Sequence, residues 1–229
     1  MYFSPAYWLY MAPGLLLVML TSWYVKSAYR KWSKIPARSR ISGYEAAQRL
    51  INAGGLYGVR IEGIRGEMTD HYDPRSKTLR LSQGVGQGTS VAALAIAAHE
   101  LGHAMQDAEE YLPLKMRGAM VPMVNIGSNL GWILIMAGLF FNWLNLAWLG
   151  VAFFAGGALF ALMTLPVEFN ASARAKRLLA ETGIIQTEEE RHGVNTVLNA
   201  AALTYVAALV TAILQLLYYV SLLSGRRRR

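Results

Sequence analysis

SVAALAIAAHELGHAMQ, Ser90 to Gln106, is the stretch from which the rest of the chain is read. On an α-helix, residues four apart share a face, so His99 and His103 can reach a single ion. Glu100 sits about 100° round the helix from His99. Its carboxylate therefore stands beside such an ion rather than on it, where it can take a proton from a bound water. This is the H-E-x-x-H spacing of zinc-dependent proteases. Thr89 or Ser90 can cap the helix, and the run of Ala, Leu and Ile up to Ala98 marks it as buried. The plainer reading is a helix with two ordinary histidines. A buried helix, however, holds two imidazoles and a carboxylate only where something pairs with them.

Composition points the surroundings of this helix toward a bilayer. Of 229 residues 54% are hydrophobic and only 16% charged, with a formal net charge of +8; a soluble domain carries more charge and less apolar surface. There is no cysteine, which excludes disulfides and thiolate metal sites and leaves His and carboxylates as ligands. The basic residues form no aromatic-interleaved groove, so nucleic acid is not expected as a partner.

The stretch 1–25 is free of charge and long enough to cross a hydrocarbon core of about 30 Å. The positive residues follow it (Lys26, Arg30, Lys31, Lys34, Arg38, Arg40), the reverse of a cleaved signal peptide. The region 26–117 reads as α+β. Ser42 and Glu45 have capping-box spacing ahead of a short helix that Gly54-Gly55 would end, and GVRIE, TDHY and TLRLS are short candidate strands. The last of these, Thr78 to Ser82, is expected either to offer an open edge to an extended peptide or to close a plain hairpin. Residues 118–167 lack Lys, Arg, Asp, Glu and His and suit a hairpin of two spans joined near Asn142–Asn145, with Gly127, Gly131, Gly138, Gly150, Gly156 and Gly157 permitting close approach. Pro166-Val167-Glu168 is expected to open a second polar helix, followed by an acidic turn to residue 192. Residues 193–225 are a fourth candidate span, and Arg226 to Arg229 form a basic tail.

A catalytic zinc takes three protein ligands and keeps one position for water. Candidates for the third are His71, His192, Asp107, Glu109, Glu110 and Glu168. Glu168 stands directly after an apolar segment, where a carboxylate calls for a partner.

HYDPRSKTLRLS, SVAALAIAAHELGHAMQD, LPVEFNASARAKRLL and LNAAALTYVAAL, in that order, resemble the membrane-embedded zinc metallopeptidases of the YugP type. More distantly the arrangement is similar to the HtpX and Ste24 proteases, gluzincins with a membrane hairpin between the histidine motif and a ligand glutamate. The resemblance implies a mainly α integral membrane protein: about four transmembrane helices plus a small α+β zincin-like catalytic unit. It implies one zinc ion held by His99, His103 and Glu168, with Glu100 as general base. Those relatives carry an acid four residues after the ligand glutamate, where this chain has Ser172. Asn170, Ser172 and Arg174 are therefore candidates to support the ligands, and Arg174, His192 and Tyr205 to stabilise an oxyanion.

For the three ligands to meet, the hairpin must cross the membrane an even number of times. The positive-inside rule puts the basic loop and the site in the cytoplasm of a plasma-membrane protein. A fourth span then carries the Arg tail outside, against the usual bias, unless the last segment is re-entrant. Expected partners are a peptide or protein substrate and the lipid bilayer, with room for a regulatory membrane partner. The rivals are a site-2-type intramembrane protease, which would need an Asp in a later apolar segment, a non-catalytic zinc-binding adaptor, and a transporter.

Overall fold

A computed structural model describes residues 5–227. The helices and strands run α1 Pro5–Trp32, α2 Gly43–Ala53, β1 Arg60–Ile64, β2 His71–Asp73, β3 Thr78–Ser82, α3 Gln83–Gly86, α4 Val91–Ala108, α5 Leu112–Phe140, α6 Leu144–Glu181 and α7 Glu188–Arg227. They form two compact units.

The first unit takes Trp23–Leu114 and Pro166–Leu203. Its axis is α4, begun by Ser90, whose side chain accepts from the Ala93 N–H at 3.2 Å. Leu94, Ala95, Ala97, Ala98 and Leu101 are fully buried there, in a core with Trp32, Leu50, Leu79, Leu81 and Leu179. The Ser42–Glu45 capping box starts α2, and Gly55, at φ +67°, makes the left-handed turn out of it.

The sheet has the order β1-β3-β2, with β1 parallel and β2 antiparallel to β3. Thr78–Ser82 is therefore the central strand, and the expectation that it offers an open edge is corrected. Its N–H and C=O groups are shared between two neighbours, and its side chains are buried at Leu79 and Leu81. The edges are β1 and β2, and β2 is the one that packs beside α4.

The second unit takes the rest of α1 up to Ser22, Lys115–Leu165, and α7 from Thr204 onward. Here α5 and α6 cross at glycines: a Cβ on Gly150 would stand 2.6 Å from the Gly131 carbonyl oxygen, and one on Gly138 would strike the Ala147 backbone. Gly156, by contrast, faces nothing within 4 Å. Tyr7 meets Tyr218 and Phe154 meets Tyr219 edge to face, and Tyr218 lies tilted against Tyr219. Helices α1, α5, α6 and α7 are each long and apolar enough to cross a membrane, and only 17% to 22% of each apolar window is buried inside the protein. Helices so apolar and so little covered by protein need a non-aqueous surrounding.

Two expected boundaries are absent. Pro166 lies inside α6, which runs unbroken from the apolar stretch through Glu168 to Glu181. One missing N–H removes one bond, a loss that a 38-residue helix absorbs. Likewise α7 is one helix from Glu188 through the last apolar stretch, without the break expected of a re-entrant segment. Arg228 and Arg229 of the basic tail, like residues 1–4, lie outside the described residues.

Candidate metal centre

His99 and His103 stand one turn apart on α4 with ring centroids 4.9 Å apart. Both turn Nε2 toward Glu168 of α6: the distances to its Oε2 are 3.3 Å from His99 and 3.6 Å from His103. The three ligand atoms all lie within 4.8 Å of one another. At zinc–ligand bonds of 2.0–2.2 Å, two corners of a tetrahedron are about 3.4 Å apart, so the donor set fits a zinc ion in both chemistry and spacing. Glu168 itself is only 2% exposed.

Gly102, between the two histidines, explains how α6 comes so near. A Cβ there would collide with the Ala171 carbonyl oxygen and stand 3.0 Å from the Ala171 Cα. The backbones touch at the one position of the motif that has no side chain.

The outer ring nitrogens are also engaged. His99 Nδ1 lies 3.2 Å from the Ser172 hydroxyl, and His103 Nδ1 lies 3.0 Å from Gln106 Oε1. The Gln106 amide donates to the Val167 carbonyl at 2.8 Å and to Asn170 Oδ1 at 3.0 Å. Arg174 Nε donates to that same Asn170 oxygen at 2.6 Å, while its two terminal nitrogens grip Glu109 at 2.5 and 2.7 Å.

Glu100 points elsewhere on α4, as its angular offset requires. Its Oε2 accepts the backbone N–H of Tyr72 in β2 at 3.1 Å. Burial pushes its carboxyl above the ordinary range against the pull of the two imidazoles, the direction suited to accepting a proton near neutral pH. At His103, burial disfavours the charged ring, and the Glu168 and Glu100 carboxylates together with the Gln106 bond more than offset it. The group thus attracts positive charge.

Of the residues expected around the ligands, Ser172, Asn170 and Arg174 are here. Arg174 bonds Asn170 through Nε and Glu109 through its two terminal nitrogens. His192 is exposed and sits edge-on to Trp32 at 5.9 Å, and Tyr205 belongs to the other unit. Among the other third-ligand candidates, His71 Nδ1 meets the Thr69 carbonyl, Asp107 accepts the Tyr72 hydroxyl, and Glu109 holds Arg174.

Gln106, Gly102 and Tyr72 were not singled out by the sequence. Only Gln106 left a local trace: it follows His103 by three residues, on the same helical face.

Residues 7–224 match the family model described as "putative neutral zinc metallopeptidase". The chain is 46% identical over 203 residues to the "putative membrane protease YugP" of Bacillus subtilis (strain 168), covering 88% of this chain and 90% of that protein. No solved structure matches it significantly.

Proposed function

As the chain belongs to the putative neutral zinc metallopeptidase family, we propose that it is a membrane-embedded, zinc-dependent endopeptidase acting on membrane or membrane-proximal proteins. The observation that carries this is the convergence of His99, His103 and Glu168 within 4.8 Å, beside a carboxylate at position 100 that is not one of the three. These three residues would hold one zinc ion, which when bound supplies Lewis acidity toward a water and a peptide carbonyl. Glu100 accepts the proton of the attacking water and passes it to the leaving amine. The Tyr72 N–H fixes the orientation of that carboxylate, and Ser172 and Gln106 fix the two rings.

The small sheet and α4 support a zincin-like reading of this unit. An extended substrate adds at an edge of the sheet and not along the central β3. The basic run Lys26 to Arg40 supports a cytoplasmic site in the plasma membrane. A scaffold using zinc only for structure closes its metal with a fourth protein ligand; the group found among the described residues has three.

The test is metal analysis and peptide cleavage by the purified protein in detergent. Glu168→Ala is expected to lose zinc. Glu100→Gln is expected to keep zinc and lose about 10²–10⁴-fold in hydrolysis; undiminished turnover by it refutes the role of Glu100.

A further inference from the structure

The shape of an amide does not distinguish its oxygen from its nitrogen, but the chemistry of its neighbours does. The carbonyl of Val167 can only accept, so the Gln106 atom 2.8 Å from it is the NH₂ group. The atom 3.0 Å from His103 Nδ1 is then Oε1, which can only accept, and Nδ1 must carry the hydrogen. In the neutral ring, the form that binds a metal, this N–H leaves Nε2 as the lone pair, and Nε2 is the nitrogen turned to Glu168.

A second constraint is independent of the first. Arg174 Nε can only donate, so its Asn170 partner is Oδ1, and that oxygen also receives the other N–H of Gln106. Glu109 holds Arg174 from outside. Gln106 is fully buried, so bulk water does not compete. His99 lacks such a constraint, because its Nδ1 partner, the Ser172 hydroxyl, can donate or accept.

We propose that Gln106 is a positioning residue that fixes the protonated nitrogen of His103, and that Val167, Asn170, Arg174 and Glu109 hold the Gln106 amide in the one orientation that does so. His103 is thereby preset as a metal ligand, while His99 adapts. This rests on the zinc-binding reading above, and the experiment separates the two.

The full chain is purified in detergent, and zinc affinity is measured by competition with a chelator. Imidazole ¹⁵N spectra of the metal-free protein, taken at a pH high enough for the His103 ring to be neutral, report which of its nitrogens is protonated. Gln106→Met keeps the bulk and removes the acceptor: zinc affinity should fall about 10–100-fold, and His103 should lose its single protonation pattern. Asn170→Asp keeps an acceptor for both Gln106 and Arg174 and should bind zinc within a few-fold of the parent. Asn170→Leu should behave like Gln106→Met, and this pair decides the matter where Gln106→Met does not fold. Parental zinc affinity in Gln106→Met or Asn170→Leu, with zinc lost in His99→Ala, overturns the role of Gln106 and leaves the zinc site standing. If the parent binds zinc no better than His99→Ala, the zinc reading itself falls, and the nitrogen spectra still decide the proton's position.

Discussion

Gly102 lies directly against the backbone of Ala171, with no room for even a methyl group between the helices. Gly102→Ala is therefore expected to push α6 away from α4. Overpacking of this kind costs about 1–3 kcal/mol or somewhat more, and because the partner is backbone, no side-chain rotation relieves it. Thermal unfolding should show the loss. Metal analysis should show that zinc is lost even where the variant folds, since Glu168 moves with Ala171.

The bond between Ser172 and His99 predicts a graded effect. Ser172→Ala frees Nδ1 of His99 and should weaken zinc binding by about tenfold, the lower end of such changes. Ser172→Asp supplies a stronger acceptor and should bind zinc no less tightly than the parent. Chelator competition measures both. Equal affinity in all three proteins would remove Ser172 from the site.

Acid should loosen the link between β2 and β3. The Ser76 hydroxyl, then the Arg80 guanidinium and the Arg75 N–H, hold the Asp73 carboxyl down from its ordinary 3.8 to about 2. Between those values the unfolded chain binds the proton that the folded chain refuses, so this contribution to stability is full above 3.8 and disappears as the pH falls to about 2. The thermal midpoint of Asp73→Asn should lie below that of the parent at neutral pH, and the gap should close across that interval. A gap that persists in acid would mean the effect is not ionic.

Orientation can be read directly, because the chain has no cysteine. Tyr57 is 80% exposed in the unit that holds the ligands. A Tyr57→Cys variant in intact cells should resist a membrane-impermeant thiol reagent and react once the membrane is opened. Labelling of intact cells would place the site outside.

What could be read from the residues alone was what depends on neighbours a turn or two away. The Ser42–Glu45 box and the Ser90 cap are local, and each is found as expected; the shared helical face of His99 and His103 is local too. The order of the sheet was not legible, because whether β3 is central or an edge depends on pairings between Arg60 and Thr78 or His71 and Arg80, which no short window contains. Pro166 misled for the opposite reason: the local preference is real, but a long helix carried through it. Gln106 gave only its place on the helical face, since its partners Val167 and Asn170 lie more than sixty residues away.

The continuity of α6 ties two properties together that a joint would keep separate. Each residue added to a helix advances it about 1.5 Å and turns it about 100°. A single insertion among the apolar residues before Pro166 therefore rotates Glu168 by that angle relative to them. The apolar stretch of α6 cannot lengthen or shorten one residue at a time without changing the phase of Glu168; it can change in whole turns, or together with a compensating deletion further along the same rod.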